Sequence, residues 1–395
     1  MRLSGPSLLG VLLIAFAGNS ALAATTAPEP APPPLAAEHL KVEAMPAWSP
    51  HWLYAFDDSF NNETDARVWV YDGDHGRALG QFEAGYYGNV AVSPDHKTTA
   101  IATTYWSRGG HGTRTDVLEF EDNTKLSLQG EIVLTSKKAQ SGAMGPFNLS
   151  YSPDGRFLYV TNLTPAASIS IVDVAARKIL GEIDTDACVL AIPSIDGTRH
   201  RVSMLCENGR LLTIVHDDAG KETSRSVSKP FFDVDKDPIF VQSVATPTGA
   251  YHVSFMGDVY EIDLSAADPR FPAVWPTVSA KERGHWRPGG QQMVAYHPSS
   301  HRLYVAMHAG GEGTHKLGGS QVWVTDTITH KRLARWSIDE KKYGGAFCMI
   351  ATQDEHPLLF VATEKSSLLV LDATTGKLLH AEDKLGQTLW QLLNP

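Results

Sequence analysis

Cysteine is scarce in this chain of 395 residues, with only Cys188, Cys206 and Cys348. No two of them have the Cys-x-x-Cys spacing typical of structural zinc sites, so a metal site built on cysteine is disfavoured. Basic residues are also few, because 34 Lys and Arg face 44 Asp and Glu, a formal net charge of −10. Without a basic surplus to neutralise phosphates, nucleic acid is disfavoured as a partner.

Apolar runs long enough to span a bilayer are also missing. Residues 8–17 form an apolar stretch that is short for a span, so a membrane anchor is the less favoured interpretation. The stretch follows a basic start at Arg2 and precedes the small residues Ala21 and Ala23. This pattern predicts a signal peptide, residues 1–23, that is cleaved after Ala23. Residues 24–39, rich in Ala and Pro, are predicted to form an extended tether.

A helical period is absent from residues 284–336, which contain one complete copy of a unit that the chain repeats. Four short apolar runs alternate with polar or Gly-rich turns, at residues 293–297, 303–307, 322–324 and 333–336. Four short strands joined by turns predict one antiparallel blade.

Seven such units are found by comparing the chain with itself. They begin near Trp48, Val90, Phe147, Val189, Ile239, Met293 and Cys348. The third run of each unit ends on an aspartate, at Asp72, Asp122, Asp173, Asp217, Asp263, Asp326 and Asp372. We interpret these aspartates as structural, since an Asp side chain can accept hydrogen bonds from amides two residues on and close a turn.

The repeat predicts an all-β fold, a seven-bladed β-propeller of four-stranded antiparallel blades over residues 40–395. The last segment, residues 388–393, is predicted to add a strand to the blade that holds residues 52–54. Closure of this kind leaves few sheet edges exposed.

Recognisable catalytic motifs are weak. Residues 311–316, Gly-Glu-Gly-Thr-His-Lys, lack the Gly-Lys-Ser/Thr ending and the strand-to-helix context of a phosphate loop, so a loop between two strands is favoured. The 16 histidines are scattered, which favours surface or hydrogen-bonded roles over a metal site. No catalytic, cofactor-binding or metal-ligating residue is therefore assigned to this chain.

Two predicted loops combine aromatic residues with glycine, and one of them also contains proline. In residues 85–89, Tyr86 and Tyr87 stand between glycines just before a first-strand run, which would place them at the mouth of the ring. Exposed tyrosines suit recognition, because they offer a large contact area with a polar tip, but packing between blades remains an open alternative. Residues 286–290, Trp-Arg-Pro-Gly-Gly, are interpreted as a rigid connection.

Cys188 and Cys206 lie on adjacent apolar runs joined by a turn at Asp196-Gly197, so they are candidates for a disulfide in an oxidising compartment. Cys348 would then be a buried thiol.

Several longer segments resemble one family, the heavy subunit of the tryptophan tryptophylquinone amine dehydrogenases. They are TTYWSRGGHGTRTDVLEFED (103–122), SPDGRFLYVTNLTPAASISIVDVA (152–175), the cysteine pair followed by GRLLTI, DPIF (237–240), WRPGG and GEGTHK. The set is more similar to the aromatic amine dehydrogenase than to the methylamine dehydrogenase heavy chain.

The resemblance implies a seven-bladed propeller that is the non-catalytic scaffold of a periplasmic α2β2 oxidoreductase. The quinone would be carried by a small, disulfide-rich light subunit. The assembled enzyme would convert a primary amine, expected to be aromatic, to an aldehyde and ammonia. It would pass electrons to a cupredoxin of the azurin or amicyanin type.

Particular residues can be placed by the resemblance. Tyr86, with Tyr87 beside it, occupies the place of the family's substrate-channel Phe, and Cys188 and Cys206 correspond to its paired cysteines. A tyrosine there would bring a hydroxyl to the channel. The alternative function is a stand-alone periplasmic propeller that binds a ligand or a protein without redox activity.

Overall fold

Short antiparallel strands make up nearly all of the regular structure. The computed structural model describes residues 44–59, 63–139 and 145–394, except for the side chains of residues 240–242. The predicted signal peptide and tether lie outside these residues. The strands of the first three blades are β1 (Trp52–Asp57), β2 (Ala66–Asp72), β3 (Arg77–Val92), β4 (Thr98–Arg108), β5 (His111–Asp122), β6 (Ser127–Val133), β7 (Lys137–Lys138), β8 (Leu149–Tyr151), β9 (Phe157–Thr164), β10 (Ser168–Asp173) and β11 (Lys178–Asp184).

The remaining strands follow the same succession. They are β12 (Cys188–Asp196), β13 (Arg199–Cys206), β14 (Leu211–His216), β15 (Glu222–Val227), β16 (Ile239–Thr246), β17 (Gly249–Ser254), β18 (Asp258–Asp263), β19 (Trp275–Pro276), β20 (Trp286–Pro288), β21 (Val294–His297), β22 (Arg302–Ala309), β23 (Gln321–Asp326), β24 (Arg332–Ser337), β25 (Ala346–Ala351), β26 (Leu358–Thr363), β27 (Leu368–Asp372), β28 (Leu378–Glu382) and β29 (Leu389–Leu393). A 3-10 turn, Pro298–Ser300, and a four-residue helix α1, Glu340–Tyr343, interrupt them. Within the described residues, no helix is long and apolar enough to cross a membrane.

The strands form the seven blades that the sequence repeat predicts. Blades three to seven are separate antiparallel sheets, and blades one and two are joined into a seven-stranded sheet because β3 belongs to both. The amino-terminal half of β3 is the outer strand of blade one, and its carboxyl-terminal half is the inner strand of blade two.

Blade one closes the ring with strands from both parts of the chain. Its inner strand is β29, which pairs antiparallel with β1, so that Ala55 lies opposite Leu392. The Asp57 carboxylate adds a second link, because its Oδ1 accepts hydrogen bonds from the amides of Gln387 and Thr388, both at 2.8 Å. The predicted closure by residues 388–393 is confirmed.

The seven aspartates close the turn between the third and fourth strands of their blades. In blade six, Asp326 Oδ1 accepts hydrogen bonds from the amides of Ile328 and Thr329, at 3.0 and 2.6 Å. The same kind of contact is made by Asp72, Asp122, Asp173, Asp217, Asp263 and Asp372. Their structural role is confirmed, since each satisfies turn amides.

The two ends of the propeller differ. One end, the turn end, carries these aspartate turns and the turns between first and second strands, such as residues 93–95. The opposite end, the loop end, carries the connections between blades and the loops between second and third strands, such as residues 310–320. This alternation follows from the antiparallel order of the strands.

A cavity of about 750 Å³ runs among the inner strands. Val90, Tyr151, Ile192, Tyr296 and Leu392 line it, and it reaches the turn end at Pro94, Pro153 and Pro298. Tyr86 and Tyr87 are not among the residues that line this cavity, and their expected place at the mouth of the ring stays a prediction. Strand β3 carries them at the loop end, where its inner-strand half begins with the pairing of Tyr86 and Thr104.

Candidate functional site

Tyr86 and Tyr87 lie within β3, where it passes from blade one to blade two. The expected loop is a continuous strand, kinked by left-handed backbone at Gly85 (φ 58°) and Tyr87 (φ 46°). A Cβ at position 85 would stand 2.4 Å from Thr103 Oγ1, so this position requires glycine. The kink changes the direction of the chain so that one strand can serve two blades.

Tyr87 is buried, with 7% of its surface exposed, which corrects the expectation of two exposed tyrosines. Its hydroxyl donates a hydrogen bond of 3.0 Å to Glu63 Oε1. Its carbonyl oxygen accepts a hydrogen bond of 2.7 Å from Lys138 Nζ. Burial, followed by the bond to Glu63, raises the pKa of the Tyr87 phenol, so it stays protonated at neutral pH.

Tyr86 is half-buried and forms an aromatic wall with its neighbours. Its ring meets Tyr87 edge-on at 4.7 Å between centroids and Trp106 at 6.5 Å. The Arg114 guanidinium lies over the Trp106 ring at 5.9 Å. Burial is the largest cause that raises the pKa of Tyr86, so this side chain offers a neutral aromatic face with a hydroxyl.

Charged groups stand behind this wall. Lys138 is 1% exposed, and burial lowers the pKa of its ammonium to about 7, opposed by the charges of Asp116 and Asp58. Asp58 is 3% exposed, and burial together with the charges of Glu63 and Asp57 raises the pKa of its carboxyl to about 7.

The Asp116 carboxylate is held by two partners. Arg114 donates two hydrogen bonds to it, from Nε and Nη2, both at 2.7 Å. Thr104 Oγ1 donates a third at 2.9 Å. Such a bidentate pair fixes the arginine over the Trp106 ring, and so supports the aromatic wall.

The site is assembled from successive connections at the loop end. Glu63 lies between β1 and β2, Trp106 and Arg114 lie in the β4–β5 hairpin, and Lys138 lies in β7 on the way to blade three. Of the residues of this site, only the tyrosines are distinguished by the local sequence pattern. Trp106 and Arg114 are inside the quoted 103–122 segment, whereas nothing in the sequence pattern distinguishes Lys138 from its exposed neighbour Lys137.

The two Gly-rich motifs of blade six lie together at the same end of the propeller. Strand β20, which holds Arg287, pairs with β22 so that Arg287 lies opposite His308. The amide of Gly290 donates to the carbonyl of His315 at 3.2 Å, and that of Gly310 donates to the carbonyl of His285 at 3.0 Å. Residues 311–316 form the loop between β22 and β23, as expected, and no helix follows them.

The disulfide prediction is confirmed. Cys188 and Cys206 are bonded and are direct partners across β12 and β13. Cys348 is a buried thiol whose pKa is raised by burial, as expected, and its Sγ lies 3.2 Å from the carbonyl oxygens of Leu389 and Trp390. Across the described ranges, no three His, Cys, Asp or Glu side chains are grouped to hold a metal ion.

Comparison with known proteins identifies the family. The sequence model "Methylamine dehydrogenase heavy chain (MADH)" matches residues 51–392, which span the seven blades. The chain belongs to the methylamine dehydrogenase heavy chain family. The family match confirms the coarser part of the resemblance noted from the sequence.

Individual heavy chains of this family cover most of the sequence. The methylamine dehydrogenase heavy chain of Methylobacillus flagellatus is 27% identical over 85% of this chain and 82% of its own length. That of Methylorubrum extorquens is 26% identical over 81% and 77% respectively. These relatives give no support to the predicted closeness to the aromatic-amine enzymes.

Similarity to solved structures concerns the fold only. Dihydro-heme d1 dehydrogenase NirN has a TM-score of 0.54 at 15% identity, covering 90% of this chain and 78% of its own. Hydrazine synthase of Kuenenia stuttgartiensis has a TM-score of 0.54 at 14% identity, covering 86% and 99%. At such identities the likeness concerns the arrangement of strands, not the chemistry.

Proposed function

We propose that this chain is the non-catalytic heavy subunit of a quinoprotein amine dehydrogenase. The observation that carries the proposal is the family match across residues 51–392, together with the aromatic wall at Tyr86. The assembled enzyme would convert a primary amine and water to an aldehyde and ammonia, releasing two electrons and two protons. In this role the propeller holds the light subunit and shapes the substrate channel.

The channel residues are Tyr86 and Tyr87, as the resemblance implies. Tyr86 is the accessible one of the two, and its ring forms a continuous aromatic surface with Trp106. Such a surface packs well against an apolar or aromatic amine substituent. We therefore propose an aromatic primary amine as substrate. Tyr86 would contact its ring, and Tyr87 would support Tyr86 from the buried side.

The quinone is proposed to belong to the light subunit. A tryptophan-derived quinone needs two neighbouring indoles that a substrate can reach. Among the described residues, the close indole pair is Trp286 and Trp323, with centroids 5.2 Å apart. Trp323 is fully buried and covered by Arg332 and Arg335, so this pair does not fit such a cofactor. When present in the light subunit, the quinone would accept the electrons of the amine.

The partners and the compartment are parts of the same proposal. An α2β2 assembly and a cupredoxin acceptor of the azurin or amicyanin type rest on the resemblance. A periplasmic location rests on the predicted signal peptide and is compatible with the Cys188–Cys206 disulfide, because disulfides persist in oxidising compartments.

Native isolation of the tagged chain from its own cells tests the proposal. We expect a small, cysteine-rich subunit to co-purify, with quinone absorbance and dye-linked oxidation of 2-phenylethylamine. Amine oxidation by the chain alone would overturn the non-catalytic role. Isolation without a small subunit, quinone absorbance or activity would instead favour the stand-alone binding propeller.

A further inference from the structure

Lys138 is a buried lysine whose ammonium binds a main-chain carbonyl. It is 1% exposed, and its Nζ donates to the carbonyl of Tyr87 at 2.7 Å. The charged groups facing it are Asp58, Asp116 and Arg114. Among the described residues, neither Asp58 nor Asp116 forms an ion pair with Lys138, and Asp116 is paired with Arg114 instead.

Burial of the Lys138 ammonium has a desolvation cost that simple packing of the core would not require. A buried ammonium loses its hydration, and one hydrogen bond to a carbonyl returns only part of it. An unbranched apolar side chain such as Met fills a similar volume without that cost. We therefore look for the role of Lys138 in the group that it binds, the carbonyl of Tyr87.

The carbonyl that Lys138 holds belongs to the strained part of the kink. Tyr87 has a left-handed φ of 46°, a conformation that is unfavourable for a bulky side chain. The next residue of the lysine strand adds a second tie, because Asn89 Nδ2 donates to the carbonyl of Ala139 at 2.7 Å. Residues 138 and 139 thus bind β3 on both sides of Gly88.

The position of Tyr87 determines that of Tyr86. The two rings are in edge-on contact at 4.7 Å, and the Tyr87 hydroxyl is anchored on Glu63. A shift of the Tyr87 backbone would therefore change the distance between Tyr86 and Trp106.

We propose that Lys138 is a positioning residue that holds the Tyr86–Tyr87 kink and thereby sets which amines the channel accepts. This inference rests on the proposed function, since it assigns to Tyr86 a place in the channel. The ligand discriminated is a primary amine, by the size of its apolar substituent.

The inference also has a pH signature. Burial lowers the pKa of Lys138 to about 7, so its charge is lost as pH rises through neutrality. A neutral amine is a weaker donor to the Tyr87 carbonyl than an ammonium. The kink should therefore loosen above neutral pH. An arginine, which stays charged, should remove the part of this dependence that comes from residue 138, whereas the part from Asp58, whose pKa is also about 7, should remain.

Hydrogen exchange of residues 84–92 in the isolated complex tests the positioning directly. We compare Lys138→Met, Lys138→Arg and the matched control Lys137→Met, which changes the exposed neighbour on the same strand. Loss of a hydrogen bond from a charged donor should raise exchange of this segment about tenfold in Lys138→Met, with partial rescue in Lys138→Arg. Lys137→Met should behave as wild type.

Selectivity is measured on the same proteins as the ratio of kcat/KM for 2-phenylethylamine and methylamine. We expect Lys138→Met to change the ratio about fivefold or more, since small displacements of channel walls alter reactivity strongly. In wild type the ratio should change across neutral pH, and in Lys138→Arg this change should be smaller, because Asp58 still titrates there but residue 138 does not.

The outcomes separate the inference from the function on which it rests. Unchanged exchange in Lys138→Met overturns the positioning role, as does faster exchange with an unchanged amine ratio. A lower Tm alone, with exchange and ratio as in wild type, leaves only packing and also overturns it. A wild-type complex that oxidises neither amine overturns the proposed function instead, and with it the assignment of selectivity.

Discussion

Two buried glutamates of blade two, Glu119 and Glu121, should make the protein less stable in alkaline than in mildly acidic solution. They are 5% and 6% exposed on β5, and the Tyr105 hydroxyl donates to Glu119 Oε2 at 3.2 Å. Burial raises the pKa of each carboxyl from the ordinary 4.5 to about 7, with further increases from neighbouring carboxylates, Glu83 among them.

The direction follows from the sign of these shifts. Both pKa values are higher in the folded than in the unfolded chain, so the stabilisation is complete below about pH 4.5. It is lost as pH rises through 7, because the folded state must then hold two buried carboxylates. Each pKa difference corresponds to about 3 kcal/mol, and because the two groups are coupled we expect about 3–5 kcal/mol for the pair.

The test is the double variant Glu119→Gln/Glu121→Gln. Glutamine resembles the protonated carboxyl, so the variant should match wild type at about pH 4 and be more stable at about pH 8.5. The unfolding entropy of a propeller of this size is about 0.7 kcal/mol per degree. The expected difference in unfolding free energy at alkaline pH therefore corresponds to a Tm about 5 °C higher in the variant. Thermal unfolding followed by circular dichroism measures it.

A matched control is Glu355→Gln, which removes an exposed carboxylate from the turn end of blade seven. It should leave the pH dependence of Tm as in wild type. If the double variant and wild type differ by the same amount at both pH values, the two glutamates are not protonated in the folded state and the reasoning fails.

Further predictions concern the closure, the disulfide and the channel. The His51 ring, just before β1, forms hydrogen bonds with Asp74 and with Asp354 of blade seven, and so adds to the closure of the ring. Burial opposes protonation of His51, but Asp74 and then Asp354 outweigh it and raise its pKa, so its stabilisation is present below 6.5 and lost as pH rises through the raised value. His51→Gln should therefore cost about 1 kcal/mol in denaturant unfolding at about pH 6 and less at about pH 9, and an equal cost at both would contradict this. Replacing Cys188 and Cys206 by Ser should lower the free energy of unfolding by about 3 kcal/mol for this short loop, and a dithiol reductant should then have no further effect. A reductant effect as large as in wild type would show that the reductant does not act through this disulfide. Tyr86→Ala should alter the kcat/KM ratio of bulky to small amines several-fold while lowering Tm by only about 2 °C, since the side chain is half-buried; unchanged selectivity with a large loss of stability would show a packing role.

The fold could be predicted mainly from patterns that are local in the sequence. Alternating apolar residues and the terminal aspartate of each third strand repeat seven times, and both act over a few residues. Asp326, for instance, binds amides two and three residues away, so its role can be inferred from its place in the turn. The contact of Cys188 with Cys206 also spans one hairpin, which is why it could be anticipated.

The site was predictable only in part, because its members are distant in the sequence. Tyr86 and Tyr87 were noticed for their composition, but their burial differs since the kink at Gly85 turns one ring inward. Lys138 approaches Tyr87 across 51 residues of sequence, and its neighbour Lys137 has the same chemistry on the opposite face.

By itself, the sequence determined the number of blades and the succession of strands within them, and it made Cys188 and Cys206 candidates for a disulfide, because hydrophobic alternation and turn chemistry are local and are repeated. Tertiary structure alone decided which of two adjacent lysines is buried, which tyrosine remains accessible and which end of the propeller carries them. Those features depend on contacts between blades, where burial and long-range hydrogen bonds act on residues that no local pattern links.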